Sequence, residues 1–433
     1  MKRLIEEQLL KWKNSDDRKP LLVYGARQVG KTYSIVNFGK TYYSNIVYFN
    51  FEGNASLSKV FLNDLDPSRI VLELEMLSGQ KILKNNTLII FDEIQECEQA
   101  LTSLKYFYEN SPEYHIIAAG SLLGLALNRG KFSFPVGKIN ILTMYPLNFE
   151  EYLIACFRND LIELIRSSFK YNTPIDETIH QLLLNYYHEY LAIGGMPSVV
   201  KAYLKTKDSD YVRVAQSEIQ SNYYGDMTKY TNIKESNKII ATYRSIPSQL
   251  AKENHKFQYS LIGSGARARD YESAIDWLTT AGVVYRCNKV KEGYYPIKTY
   301  EDFTSYKIYM SDVGLLACSL DMSISSILTN NISSNAKGAI AENYVMQQLV
   351  SNGILPYYWE SNGKAEVDFV IQLNSQAIPI ECKYADNVQA KSLKVYMQKY
   401  KPEYAIRVSS KNFGFEHNIK SIPLYALFCL NKK

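Results

Sequence analysis

The sequence predicts an α/β protein that begins with a parallel β-sheet. Over residues 1–150, apolar runs of strand length alternate with polar stretches of helical character, the pattern of parallel strands joined by crossover helices. We predict four strands here: Leu21–Tyr24, Ile46–Phe49, Leu88–Phe91 and His115–Ala118. Because these runs are apolar almost throughout, we expect helices to cover both faces of the sheet.

Two helical regions follow the sheet. Residues 151–230 place apolar residues at helical spacing, which predicts a helical lid. Residues 231–328 begin with short helical stretches and continue with the apolar run Val283–Cys287, a Lys-Glu-Gly turn and the pair Tyr294–Tyr295. Helices followed by a hairpin are typical of a winged helix, so we predict one in this region.

A second, smaller α/β domain is predicted at the C-terminal end. The polar segment 329–335 is the best linker candidate, and residues 336–433 show the order helix, strand, strand, strand, helix, strand. The length of 433 residues allows several compact units, because about 150 residues are typical for one domain.

Composition and charge exclude several classes of protein. Hydrophobic residues make up 46% of the chain and charged residues 21%, which excludes a disordered or fibrous chain. A net charge of only +5 excludes nucleic-acid binding by bulk charge alone. The sequence shows neither an apolar run of about 18 residues nor a signal-peptide core, so we expect a cytoplasmic protein without membrane contact. Six cysteines without a C-x-x-C pair argue against a disulfide framework or a zinc site.

A phosphate-binding loop follows the first predicted strand. Its residues are Gly25, Ala26, Arg27, Gln28, Val29, Gly30, Lys31 and Thr32. This string fits the P-loop pattern and stands between an apolar strand and a helix, the context that the motif requires. The glycines allow a tight loop whose amides point at phosphates, Lys31 supplies a positive charge, and Thr32 is placed to bind Mg²⁺. The string therefore predicts a site for ATP and Mg²⁺; an ordinary glycine turn is the alternative.

Two more strands end in residues suited to the same site. The run Leu88–Phe91 leads into Asp92 and Glu93, which matches a Walker B strand. Asp92 is predicted to hold Mg²⁺, and Glu93 to orient or deprotonate the attacking water. Ser121 follows the next strand and is predicted to reach the γ-phosphate or the water. The alternatives are a helix N-cap for Ser121 and, for the two acids, a strand that merely reaches the surface.

With these motifs the chain resembles the bacterial and archaeal AAA-type ATPases that join a P-loop domain to a winged helix and a C-terminal nuclease-like domain. Four further strings carry the resemblance: Tyr145–Glu151, Gly194–Pro197, Asp226–Tyr230 and Tyr309–Leu316. The resemblance runs over almost the whole chain and implies an AAA-type ATPase domain over residues 1–150. No chemical role for the four strings follows from the sequence.

An arginine finger is not evident in the sequence. Relatives often carry an arginine where this chain has Gly137 and Lys138. Lysine lacks the planar fork that suits a transferring phosphoryl group, so Arg129 is an alternative candidate. Either residue could act in trans or could be a solvated loop charge.

The predicted winged helix carries a local positive charge. Residues 231–300 contain eleven lysines and arginines against six acidic residues. Arg267 and Arg269 begin a predicted helix that could enter a major groove, and Lys289 and Lys291 lie near the hairpin tip. DNA is therefore a predicted partner; a lid or a protein-docking unit is the alternative use of this fold.

Acidic and apolar residues alternate on two C-terminal strands. Glu366 and Asp368 share a face of the first strand, and Glu381 and Lys383 share a face of the second. Two adjacent strands could bring Asp368, Glu381 and Lys383 to one point. There, Asp368 and Glu381 would bind a second Mg²⁺ or Mn²⁺, and Lys383 would assist the attacking water. This resembles the PD-(D/E)-x-K core of restriction-endonuclease-like folds, and the resemblance implies Glu342 as a further metal ligand. A solvated strand face is the alternative.

These features predict a DNA-associated AAA-type ATPase with an appended nuclease-like domain. Two alternatives stay open: a nucleotide-gated DNA-binding switch with a silent nuclease-like domain, and a scaffold that assembles with protein partners or as a homo-oligomer. DNA-stimulated ATP turnover and metal-dependent nicking distinguish these classes.

Overall fold

The structure, a computed structural model, divides into two compact units. The residues that it describes are 1–121, 135, 137–229, 231–252, 256–361, 365–383 and 391–431. We call Lys2–Tyr145 together with Thr280–Gly282 the N-terminal unit, and Pro146–Thr279 together with Val283–Lys433 the C-terminal unit. The finer division into lid, winged helix and C-terminal domain stays a prediction.

The N-terminal unit is built on a parallel sheet. Its helices are α1 Ile5–Lys13, α2 Lys31–Tyr42, α3 Ala55–Lys59, α4 Pro67–Ser78 and α5 Glu98–Asn110, and its strands are β1 Leu21–Tyr24, β2 Asn45–Asn50, β3 Thr87–Asp92, β4 His115–Gly120 and β5 Asn140–Thr143. The strands lie in the order β2-β3-β4-β1-β5, all parallel. The predicted parallel sheet is confirmed. The sequence did not predict β5, because its four residues are only partly buried and form no apolar run.

Helices cover both faces of this sheet. On one face, Phe91 of β3 belongs to an apolar core cluster with Leu74 of α4 and Leu104 of α5. On the other face, α2 lies so close that a Cβ added at Gly39 would be 2.7 Å from Cγ2 of Ile46. Residues of β3 are buried at all six positions, which explains why the strand is apolar up to its terminal carboxylate.

The C-terminal unit begins with helices and ends with a mixed sheet. Its helices are α6 Phe149–Ala155, α7 Asn159–Tyr171, α8 Glu177–Ile193, α9 Pro197–Thr206, α10 Ser209–Lys229, α11 Ile233–Leu250, α12 Ala268–Thr280, α13 Val313–Ser319, α14 Ile324–Leu328, α15 Ser334–Ser351 and α16 Lys391–Tyr400. Its strands are β6 Val284–Val290, β7 Glu301–Met310, β8 Tyr357–Ser361, β9 Ala365–Leu373, β10 Gln376–Lys383, β11 Ala405–Ser409, β12 Gly414–Glu416 and β13 Ile419–Pro423. The eight strands follow the order β12-β13-β11-β10-β9-β8-β6-β7.

The hairpin β6–β7 differs from the sequence prediction in two respects. It joins the C-terminal sheet, because β6 pairs in parallel with β8. Its second strand begins at Glu301, so Tyr294–Tyr295 lie in the connecting segment instead of a strand. That segment is long because Ile297 packs into the core cluster of Val290 and Trp359. From residue 336 onward, the order of helices and strands along the chain is the predicted one as far as β11, and two further strands, β12 and β13, follow it.

None of the helices in the described residues is long and apolar enough to cross a membrane.

Candidate functional site

The P-loop connects β1 to α2 and has the backbone that its glycines predict. Gly25 has φ +150°, and a Cβ added there would lie 2.1 Å from the carbonyl oxygen of Met144. Gly30 has φ +94° and caps the start of α2. Both positions therefore favour glycine, and the loop leads directly into the positive end of a helix, where anions bind.

Lys31 lies inside this loop. Its side chain is 7% exposed, and its Nζ donates to the carbonyl oxygens of Gly25 at 2.8 Å and Ala26 at 2.9 Å. The ammonium is thereby held over the loop that would receive phosphate groups. A phosphate oxygen is a stronger acceptor for this charge than a neutral carbonyl.

Arg3 is a functional residue that sequence reasoning missed. Its guanidinium donates to the carbonyl oxygen of Val29 in the P-loop at 2.8 Å and to that of Tyr145 at 2.7 Å. The side chain is buried and fixes the C-terminal half of the loop against the segment after β5. No motif marks Arg3, because its contacts are distant in sequence. Arg27, by contrast, faces Glu52 at 3.8 Å.

Asp92 lies beside Thr32, the residue with which it is predicted to bind Mg²⁺. Thr32 Oγ1 donates to Asp92 Oδ2 at 2.8 Å, and Tyr48 OH donates to the same oxygen at 2.7 Å. The other oxygen, Oδ1, accepts from the N–H of Glu93 at 3.1 Å. A hydroxyl and a carboxylate at the end of a P-loop form the oxygen donor set that Mg²⁺ prefers, so these residues fit the ion. Tyr48 was not predicted.

Glu93 and Ser121 also lie together. Glu93 has φ +49°, a left-handed backbone conformation directly after β3. Glu93 Oε2 accepts from Gln95 Nε2 at 2.6 Å and from Ser121 Oγ at 3.2 Å. The ends of β3 and β4 thus bring both predicted residues to one point. The N-cap alternative for Ser121 involves residues 122–134, which lie outside the described part of the chain.

The two arginine-finger candidates have different outcomes. Lys138 forms an ion pair with Glu109 at 3.0 Å, and Gly137 accepts a hydrogen bond from Lys19. Arg129 lies outside the described residues.

The C-terminal acidic residues surround a lysine that the sequence did not indicate. Lys307 on β7 is 1% exposed, and its Nζ lies 2.6 Å from Glu366 Oε1 and 3.6 Å from Glu342 Oε2. Burial lowers the pKa of Lys307, but the carboxylates of Glu342, Glu366 and Asp368 outweigh it and raise that pKa. These carboxylates therefore favour the charged form of Lys307.

Asp368 and Glu381 lie in the same charged environment. Burial, followed by the charges of Glu342 and Glu381, raises the pKa of Asp368 well above its usual range. Its Oδ2 accepts from the N–H of Cys382 at 2.8 Å. Glu381 Oε1 pairs with Lys383 Nζ at 2.8 Å, while Glu381 Oε2 is buried and has no hydrogen-bond partner among the residues that the structure describes.

The second metal site stays a prediction. Within the described residues, no group of three histidine, cysteine, aspartate or glutamate side chains is placed to hold a metal ion. Glu342, Asp368 and Glu381 do interact electrostatically, but the Lys307 ammonium compensates Glu342, and Lys383 compensates Glu381.

Three of the strings without a chemical role converge in the structure. Asp312 is fully buried; its Oδ2 accepts from Gly195 N at 2.6 Å and its Oδ1 from Leu315 N at 3.0 Å. A Cβ at Gly194 would lie 2.1 Å from Asp312 Oδ1, and one at Gly195 would lie 2.0 Å from the carbonyl oxygen of Leu147. These strings therefore build one close-packed junction inside the C-terminal unit.

The predicted DNA-contacting residues lie on α12 and the hairpin. Arg267 and Arg269 are exposed on either side of Ala268, where α12 begins. Lys291 is exposed after β6, whereas Lys289 is paired with Glu360 at 3.1 Å. The Arg286 guanidinium on β6 binds Glu272 of α12 at 2.8 Å, which ties the helix to the hairpin.

The P-loop, the Walker B carboxylates and the parallel sheet define the N-terminal unit as an AAA-type P-loop ATPase domain. Residues 17–153 match the family described as AAA domain. Residues 184–326 and 337–427 match two families, each described as a domain of unknown function, DUF8612 and DUF4143. No curated protein matches the chain.

Several solved structures are similar to this chain. The Walker-type ATPase of Pyrococcus abyssi shares 16% identity at a TM-score of 0.46, covering 74% of this chain and 95% of that one. The ORC1 protein of Aeropyrum pernix, solved in complex with DNA, shares 12% identity at a TM-score of 0.30, covering 76% and 90%. Cdc6p of Pyrobaculum aerophilum shares 13% identity at a TM-score of 0.26, covering 77% and 96%.

Proposed function

We propose that this chain is an ATP-hydrolysing protein that associates with DNA. The observation that carries the ATPase is the hydrogen bond from Thr32, at the start of α2 beside the P-loop, to Asp92, which ends the parallel strand β3 and precedes Glu93. Each group has a place in phosphoryl transfer. Loop amides and Lys31 bind the phosphates, Thr32 and Asp92 hold Mg²⁺, and Glu93 acts on water.

The hydrogen bonds around the site indicate how its residues act. Mg²⁺, when bound, supplies positive charge to the phosphate oxygens. Thr32 and Tyr48 share one oxygen of Asp92, so they set the direction of that carboxylate before nucleotide binds. Gln95 and Ser121 donate hydrogen bonds to Glu93 and set the direction of its carboxylate. This carboxylate can accept a proton from water. Positioned donors of this kind reduce the reorganisation needed during reaction.

DNA association is supported by α12 and the hairpin. Arg267 and Arg269 are exposed at the start of α12, where the helix dipole adds to their positive charge. Lys291, Tyr294 and Tyr295 are exposed on the segment between β6 and β7. Exposed cations contact phosphates, and exposed tyrosines can stack on bases.

ATP hydrolysis measured with and without DNA tests this proposal. The purified full-length chain is assayed for phosphate release with Mg²⁺, alone and with single- or double-stranded DNA. We expect hydrolysis that DNA accelerates. Hydrolysis that no DNA changes would instead support the protein-scaffold alternative, and absence of any hydrolysis would refute the enzyme.

We propose that the nuclease-like region is catalytically silent and serves DNA binding. The Lys307 ammonium among its carboxylates supplies the charge compensation that a metal ion would otherwise give. Supercoiled plasmid should therefore stay intact with the wild-type protein and Mn²⁺. Nicking that is lost in Asp368→Ala and Lys383→Ala but kept in Glu366→Ala would contradict silence and establish cleavage as the second function.

A further inference from the structure

Three neighbouring strands of the C-terminal sheet carry a row of side chains that ends in a lysine. Ile380 of β10 pairs with Ile406 of β11, and Ile406 pairs with Lys420 of β13. Paired residues point to the same face of a sheet, so these three side chains lie on one face. Glu381 follows Ile380 along β10 and therefore points to the other face. The surroundings of Lys420 are thus separate from the carboxylate cluster.

A cavity of about 420 Å³ lies on this face. Its apolar lining includes Ile406 and Leu430, which are buried, and the partly buried ring of Phe169 from α7. Asn374, in the turn between β9 and β10, and Tyr404, just before β11, add hydrogen-bonding groups. Small-molecule sites have this size and this mixture, an apolar lining with a few polar groups.

Lys420 is the one charged residue that lines the cavity among those that the structure describes. Its Nζ donates to the carbonyl oxygen of Phe169 at 3.3 Å and lies 3.9 Å from the centroid of the Phe169 ring. Burial lowers the pKa of Lys420, and no carboxylate in the described part of the chain opposes that shift. Within the described residues, the ammonium is therefore held by a carbonyl and an aromatic ring and not by an acidic side chain.

A negatively charged ligand would complete the contacts of this ammonium. An ammonium has three N–H donors, of which one is directed at the Phe169 carbonyl. A full negative charge is a stronger acceptor for the others than a neutral group is. One half-buried ammonium balances one negative charge, so a carboxylate suits the cavity better than a doubly charged phosphate. The apolar lining suits a ligand whose remaining part is apolar.

We propose that this cavity binds a small organic carboxylate with an aromatic or branched aliphatic body. The carboxylate would accept hydrogen bonds from Lys420, and the body would pack on Phe169, Ile406 and Leu430. Burial raises the pKa of the Tyr404 phenol, which therefore keeps its proton and can donate as well. The proposal uses neither the nucleotide site nor the predicted DNA-contacting residues, so it is independent of the proposed ATPase.

Ligand-observed NMR on the full-length protein, without nucleotide, tests the proposal. The probes are hydrocinnamate and isocaproate, each compared with its primary amide, which has nearly the same shape and no charge. N-acetyl-Ala-Ala-Phe with a free carboxylate distinguishes the two sources of such a group, a free metabolite and the C-terminus of a peptide. Phenyl phosphate tests the charge of the ligand. Saturation transfer detects binding, and titration gives each Kd.

Three variants test the role of the lysine. Lys420→Met removes the charge and keeps an unbranched side chain that can pack on the Phe169 ring, and Lys420→Arg keeps the charge. Lys170→Met is the matched control, because Lys170 neighbours Phe169 on α7 and is exposed but does not line the cavity. Thermal unfolding checks that each variant is folded. The comparison of acids with amides on wild type decides the question even where a variant does not fold.

We expect both carboxylates to bind wild type at least about tenfold more tightly than their amides, since a charged hydrogen bond is lost in the amides. Lys420→Met should weaken carboxylate binding by a similar factor, Lys420→Arg should retain it, and Lys170→Met should change it less than twofold. Tighter binding of the peptide than of the free acids would support the site with a peptide C-terminus as its ligand, and the reverse order would support it with a metabolite.

Four results would overturn the proposal. They are the absence of saturation transfer to every carboxylate, equal binding of acids and amides, tighter binding of phenyl phosphate than of the carboxylates, and equal effects of Lys420→Met and Lys170→Met.

Discussion

Buried cationic side chains hold the P-loop in its conformation. Arg3 donates to the carbonyl oxygen of Val29, and Lys31 donates to those of Gly25 and Ala26. Hydrogen bonds to charged groups contribute about 1.5–3 kcal/mol each to stability. The loop is thus shaped before nucleotide arrives.

In the C-terminal unit, the buried Asp312 carboxylate accepts hydrogen bonds from backbone N–H groups. Burial raises the pKa of Asp312 to about 6, although N–H donors such as those of Gly195 and Leu315 partly oppose the shift. In the unfolded chain the same carboxyl has a pKa of 3.8. Between these two values the unfolded state releases its proton first, so rising pH favours unfolding.

We predict that this residue gives the wild-type protein a loss of stability between pH 4 and pH 6. The shift corresponds to on the order of 3 kcal/mol. Asp312→Asn cannot ionise and should lack this part of the pH dependence. Urea unfolding at several pH values measures it, with Asp321→Asn, an exposed aspartate, as control. Parallel profiles for wild type and Asp312→Asn would show that Asp312 ionises normally.

At the scale of secondary structure elements, the P-loop region was predictable because its signals are local. A strand, a glycine loop and a helix follow each other within residues 21–42, and of the two carboxylates Asp92 ends β3 and Glu93 follows it directly. Parallel strands bring their carboxyl ends to one edge, so the meeting of Asp92 with Thr32 follows from topology.

The junction of Asp312 and the ion pairs of Lys307 were not predictable in this way. Asp312 reaches Gly195 across 117 residues, and no periodic pattern records such a contact. Lys307 stands among the apolar residues of β7, and its partners lie on α15 and β9. β6 pairs in parallel with β8 over only a short stretch, and the two strands are far apart in the sequence. The sequence therefore predicted the hairpin as separate from the C-terminal sheet.

The start of α12 is the element on which DNA binding can be tested. We predict that Arg267→Ala combined with Arg269→Ala weakens duplex binding and reduces the slope of log affinity against log salt by up to about 2, because two phosphate contacts are lost. ATP affinity should not change.

Lys40→Ala combined with Lys59→Ala removes the same charge from exposed sites of the N-terminal unit and serves as control. An unchanged slope for the arginine variant, or an equal change in the control, would reassign α12 to a lid or a protein-docking unit.

At the scale of the whole molecule, the chain joins an AAA-type ATPase domain to a C-terminal unit with its own sheet and core. In the function that we propose, catalysis uses residues of the N-terminal unit: Lys31 for the phosphates, Asp92 and Thr32 for Mg²⁺, and Glu93 for water. The carboxylate cluster, which we propose to be silent, and the basic hairpin belong to the C-terminal unit, which we propose to contact DNA.

The most direct test of the account compares nucleotide binding with turnover in two variants. Lys31→Ala should lose ATP binding, because the phosphates lose their fixed positive partner. Glu93→Gln should bind ATP as wild type does yet hydrolyse it about a hundredfold more slowly or worse, since a positioned general base contributes roughly 10²–10⁴ in rate. Both are measured on the full-length chain, by fluorescent-nucleotide binding and by phosphate release. Hydrolysis at the wild-type rate by Glu93→Gln, or wild-type ATP affinity in Lys31→Ala, would contradict the assigned site.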